Sequence, residues 1–99
     1  NDEITAPKVF FLSQNYPNPF NPSTTISYGL ANDTDVKIIV FNLMGQRVKN
    51  LVDQKQTAGY KQIVWDGRDE TGRKVSSGIY FYQIDTANFT KTNKMLLLK

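Results

Sequence analysis

Apolar side chains fall on every second position through short stretches of this chain, and turn-forming residues end each stretch after roughly eight to twelve positions. No other feature restricts the fold as much. A period of two puts one face of a strand inward and the other outward, and a helix cannot satisfy it. Ile26, Tyr28 and Leu30 share a face of residues 24–30. Val36, Ile38 and Val40 share a face of residues 36–42, where Ile39 and Phe41 make the other face apolar too and so predict a central strand. Residues 79–84 carry the strongest strand signal. Weaker runs occupy residues 9–12, 47–54, 60–65 and 89–99. In residues 47–54 the spacing of Val48, Leu51 and Val52 hints at a helical turn, but the β surroundings favour a bulged strand.

About seven strands at this spacing predict an all-β chain, an immunoglobulin-like antiparallel β-sandwich. Gly45 is expected at the positive-φ position of a turn, and Trp65, late in its strand, as a core anchor between the sheets. The 99 residues suffice for one domain. Polar residues 1–8 read as a linker remnant and residues 9–99 as the domain. Asn1-Asp2-Glu3 is no signal peptide, so the signal of an exported protein would lie elsewhere on a longer precursor.

Composition removes several chemistries. With no Cys and no His, the chain has no disulfide, no thiolate or imidazole ligand, and no imidazole base. The net charge of +3 comes from scattered Lys and Arg rather than a basic block, so nucleic acid is not an expected partner. No apolar run reaches the ~18 residues of a membrane span, and association with a membrane is expected only through partners. Asp33 and Asp35 sit in a turn, as do Asp66, Asp69 and Glu70 among Arg68, Arg73 and Lys74. Such carboxylates ordinarily bond their own backbone rather than face each other across a cleft. The Asp66, Asp69, Gly72 spacing suggests a weak calcium loop, yet Arg68 stands where an oxygen ligand belongs, and plain turn chemistry is favoured. Ser76, Ser77 and the hydroxyls of residues 23–25 have no basic partner. The chain is therefore expected to be no enzyme, with no catalytic residue, metal or cofactor.

Pro17, Pro19 and Pro22 cluster too densely for a sheet ladder and predict a rigid crossing between sheets, pinned by burial of Tyr16 and Phe20. The order of punctuation along the whole chain is more specific than any one motif. Tyr16-Pro17-Asn18-Pro19-Phe20 is followed by Gly45, by Trp65-Asp66-Gly67, by Asp69 and Gly72, and by Gly78 and Tyr80. Lys94-Met95-Leu96-Leu97-Leu98-Lys99 closes the series. From about residue 10 to the end, the chain closely resembles the type A C-terminal sorting domains of type IX secretion cargo.

That resemblance implies a domain at the C-terminal end of a large exported protein of a Gram-negative bacterium, with its own cargo domain N-terminal to it. It implies transit through the periplasm, recognition by the translocon and its shuttle protein, removal by a sortase-like peptidase, and a final place at the cell surface or outside. The residues it implies for recognition are Gly78, Tyr80, Lys94, Met95, Leu96, Leu97, Leu98 and Lys99. A final strand lying at a sheet edge would dock by strand addition or by charge. Deleting residues 94–99 would then block export while leaving the core largely folded. Open edges also predict a weak homodimer. Residues 65–80 resemble, in addition, the Ig-like domain of flagellar hook-capping proteins, over the C-terminal half alone. A further alternative, a carbohydrate-binding or structural accessory module, would show Tyr60, Trp65 and Tyr82 as one exposed row.

Overall fold

The computed structural model describes residues 6–99. It contains seven strands: β1 (Phe11–Leu12), β2 (Thr24–Leu30), β3 (Thr34–Asn42), β4 (Arg47–Gln56), β5 (Gly59–Trp65), β6 (Gly78–Asp85) and β7 (Thr90–Leu97). A three-stranded sheet of order β1-β2-β5 packs on a four-stranded sheet of order β4-β3-β6-β7. Every strand pairing is antiparallel.

The period of two does what it predicts. Ile26, Tyr28 and Leu30 of β2 meet Val36, Ile38 and Val40 of β3 in one buried cluster, joined by Tyr82 and Ile84 of β6. β3 is central, between β4 and β6. In β4 the register skips a residue twice, so that Leu51 and Val48 each stand opposite no residue of β3. These two bulges explain the helix-like spacing: each extra residue turns the next apolar side chain back toward the core. At the β3–β4 hairpin, Gly45 has φ +82° and the Asn42 side chain accepts from the N–H groups of Met44 and Gln46.

Two strands are shorter than expected. β1 spans two residues of the four-residue run, with Val9 left exposed, and β7 stops at Leu97. Pro7 is buried, so packing reaches into the stretch expected as linker, whose first five residues lie outside those described. Trp65 is fully enclosed at the end of β5, between the Phe20 ring at 5.8 Å and the Tyr80 ring at 5.4 Å. Its indole N–H donates to the Arg68 carbonyl, which satisfies the one polar atom that burial would orphan.

Candidate recognition surface

The proline block is held by its polar residues more than by its aromatics. Asn15 is buried, and its side-chain N–H groups donate to Thr24 Oγ1 and the Pro17 carbonyl. Its backbone N–H donates to the Tyr82 hydroxyl at 2.8 Å, and that hydroxyl donates to the Ser13 carbonyl at 2.6 Å. Tyr82 thus ties the chain before the prolines to the opposite sheet. Phe20 is buried as expected, but Tyr16 is 81% exposed. Its backbone exchanges two hydrogen bonds with Thr25, which turns Asn15 inward and the Tyr16 ring out.

The block then closes over the free edge of β7. The Phe20 N–H donates to the Leu96 carbonyl, and the Leu98 N–H donates to the Phe20 carbonyl. The Leu96 N–H donates to the Asn18 side chain, and the Gln14 side chain donates to the Lys94 carbonyl. The edge expected to accept another strand is therefore already covered from Lys94 to Leu98. Strand addition is excluded there, because the backbone groups it needs have partners.

A cleft of about 350 Å³ opens beside this seam. Asn21 and Pro22 form one wall, and Asp66, Gly67, Lys74 and Val75 another. Leu97 and Lys99 of the terminal segment complete the lining. Gly67 has φ +75°, and a Cβ there would stand 3.0 Å from the Pro22 carbonyl oxygen, so the loop passes this close only as glycine. Three stretches distant in sequence, the proline block, the Trp65-Asp66-Gly67 turn and the terminal strand, thus meet at one end of the sandwich.

The residues expected to be recognised divide by side. Lys94, Leu98 and Lys99 are exposed and Leu96 is half-buried, while Met95 and Leu97 point into the core. Tyr80 is buried against Trp65, and its hydroxyl donates to the Ser76 carbonyl. Gly78 opens β6 opposite Leu97 at φ +147°.

Asp69 is the anchor of its turn. One carboxylate oxygen accepts from the Thr71 hydroxyl at 2.7 Å and from the N–H groups of Thr71 and Arg73. The Thr71 hydroxyl first, helped by those backbone donors and the Arg73 charge, holds its carboxyl below the usual carboxylate range against the opposing effect of desolvation. Gly72 completes the turn at φ +88°. Among the described residues no three acidic side chains converge as metal ligands would. The aromatic row of a carbohydrate-binding face is absent as well. Of Tyr60, Trp65 and Tyr82, the last two are fully buried and only the first, at 59%, is exposed.

Fold and surface together define an immunoglobulin-like module whose distinctive features lie at one end, where backbone seam and open cleft adjoin. The chain belongs to the FlgD Ig-like domain family, whose sequence model matches residues 18–89. The match begins inside the proline block, well outside the C-terminal half that carries the hook-capping resemblance, and stops one residue short of β7. FlgD from P. aeruginosa is similar in structure, with 25% identity over 75% of this chain and a TM-score of 0.59. PorU from Porphyromonas gingivalis, solved as a latent dimer, shares the fold at TM-score 0.71 and 19% identity over 91% of the chain. PorZ, a bacterial surface component of the type IX secretion system of the same organism, shares it at TM-score 0.59 and 16% identity over 91%. The chain spans only 9% of PorU, 11% of PorZ and 57% of FlgD. No curated protein matches it in sequence.

Proposed function

We propose that this domain is a C-terminal sorting signal that directs a larger cargo protein through the outer membrane by the type IX secretion system. The observation that carries the reading is the meeting of the proline block, the Trp65-Asp66-Gly67 turn and the terminal strand around one cleft. Type IX translocon and shuttle protein would read the exposed side of that end, Lys94, Leu96, Leu98 and Lys99, while Gly78, Tyr80, Met95 and Leu97 hold it in shape. With the β7 backbone edge covered, side chains and charge are left as the means of recognition. A sortase-like peptidase would then cut upstream of the sandwich, after transit through the periplasm to the cell surface. The module itself performs no chemistry and binds no cofactor.

The test is a reporter with a Sec signal fused ahead of residues 1–99, expressed in a bacterium that has this export system. Export to the medium or surface is expected, and a reporter retained in the periplasm overturns the reading. A Lys94→Glu, Lys99→Glu double variant changes exposed side chains alone. It is expected to cut export by about tenfold or more, as reversal of rim charges does at steered interfaces, with its Tm nearly unchanged.

A second reading, a structural accessory module of an extracellular assembly, is favoured by the FlgD Ig-like family match. It expects no export of the reporter, whether the fused domain carries the native lysines or the two glutamates.

A further inference from the structure

The two sheets present four strand edges, and they are unequal. β1 is two residues long. β4 is broken by two bulges and carries Arg47, Lys49 and Lys55. β7 is covered from Lys94 onward by Gln14, Asn18 and Phe20. β5 has no proline, no bulge and no cover, and of the charged side chains that blunt an edge it carries only Lys61.

The free backbone groups of β5 follow from the ladder. Thr25 exchanges hydrogen bonds with Tyr16, and the Ser27 carbonyl accepts from Ser13, so these residues of β2 face away from β5. By alternation Thr24, Ile26, Tyr28 and Leu30 face β5 and bond Trp65, Ile63, Lys61 and Gly59. Tyr60, Gln62 and Val64 therefore point their N–H and C=O groups outward. No hydrogen bond among the described residues uses those groups, and all three residues are exposed.

We infer that β5 is a self-pairing edge: two copies of this chain join antiparallel about a two-fold axis through Gln62, fusing their three-stranded sheets into one of order β1-β2-β5-β5-β2-β1. An isologous pair sets residue i opposite j and j opposite i. For the faces to stay continuous, opposed residues must share a face, which leaves axes at Lys61, Gln62 or Ile63 for substantial overlap. An axis at Lys61 opposes two lysines and runs past Gly59 at the strand start. An axis at Ile63 runs past Trp65 at its end. The axis at Gln62 pairs the whole of β5 with itself. Tyr60 meets Val64 of the second copy, an aromatic on a β-branched side chain, and Gln62 meets Gln62, with no like charges opposed. The outward N–H and C=O groups of Tyr60, Gln62 and Val64 then all find partners. The Phe11–Tyr60 ring contact, at 6.1 Å, extends that apolar row across the joint sheet.

This inference does not depend on the sorting role and is tested on the 99-residue chain. Sedimentation velocity from micromolar to millimolar concentration should show a reversible monomer–dimer equilibrium. Hydrogen exchange should slow with concentration at the amides of Tyr60, Gln62 and Val64 and not at those of β4 or β7. Gln62→Lys, at an exposed site, puts two ammonium groups on the axis. It should weaken association by about tenfold or more, as directly opposed like charges do, without lowering the Tm of the dilute chain. A chain that stays monomeric throughout overturns the inference. So does a dimer indifferent to Gln62→Lys, or one protected along another edge.

Discussion

Single residues in this protein matter most where a backbone group or a ring has one partner and no substitute. Tyr82 is the clearest case, since its hydroxyl is the acceptor for the buried Asn15 N–H, while the Ser13 carbonyl it donates to has Asn93 as a second donor. Tyr82→Phe should therefore cost about 1–3 kcal/mol in urea unfolding, the range for orphaning a buried polar group. Gly29 is held small by contact rather than by backbone angle, because a Cβ there would overlap the Phe11 ring and Pro7. Gly29→Ala should be destabilising by about 1–3 kcal/mol, the usual range for overpacking. In a Phe11→Ala background that loss should shrink, and an unchanged loss in the double-mutant cycle would refute the ring contact as its cause. Neither effect is legible in the sequence. Alternation places Tyr28 and Leu30 inward without showing what lies over the glycine between them. By sequence Asn15 reads as a loop residue and Tyr16 as an anchor, and the Tyr16–Thr25 backbone pairing reverses the two.

The elements are more legible than their edges. Period and punctuation locate β2, β3, β5 and β6 closely and identify β3 as central, because side-chain burial leaves its mark in residue type. Edge protection leaves much less, since the seam over β7 is made largely of backbone groups and two amide side chains. Its consequence is a changed expectation for truncation. Met95 and Leu97 belong to the core that also holds Phe20, Trp65 and Tyr80. Deleting residues 94–99 should therefore abolish cooperative unfolding rather than leave a folded but unexported domain, as circular dichroism melts would show. A Leu97→Ala variant should lose about 2–5 kcal/mol, as for other buried leucines. A truncated chain that melts at the Tm of the 99-residue chain would show that β7 is dispensable to the sandwich.

For the molecule as a whole, stability should have an acid limit and an alkaline limit set by different groups. The hydroxyls of Tyr28, Tyr80 and Tyr82 are all pushed above the ordinary tyrosine value by burial, in Tyr28 and Tyr82 against hydrogen bonds that pull the other way. The folded chain thus holds these protons more tightly than the unfolded chain, so their contribution is complete below about pH 10 and declines as pH rises through the raised values. Asp69 acts in the opposite sense. Its lowered value means that the turn's contribution is present above about pH 4 and is lost as pH falls through that value. Urea midpoints measured across pH should fall at both ends, and Asp69→Asn should flatten the acid side alone. The sandwich can be read from the sequence because burial alternates along each strand. The end surface can be named only by resemblance, since no periodicity records which distant segments will meet.

The seam between Phe20 and the terminal strand gives the fold a property of timing. Everything up to β6 can emerge from the ribosome and collapse, yet the groove lined by Phe20, Trp65 and Tyr80 lacks Met95 and Leu97 until β7 arrives. The domain is thus its own proof of completion. A chain clipped within β7 leaves that groove unsealed and the cooperative sandwich unmade, so nothing short of an intact β7 can present the finished surface.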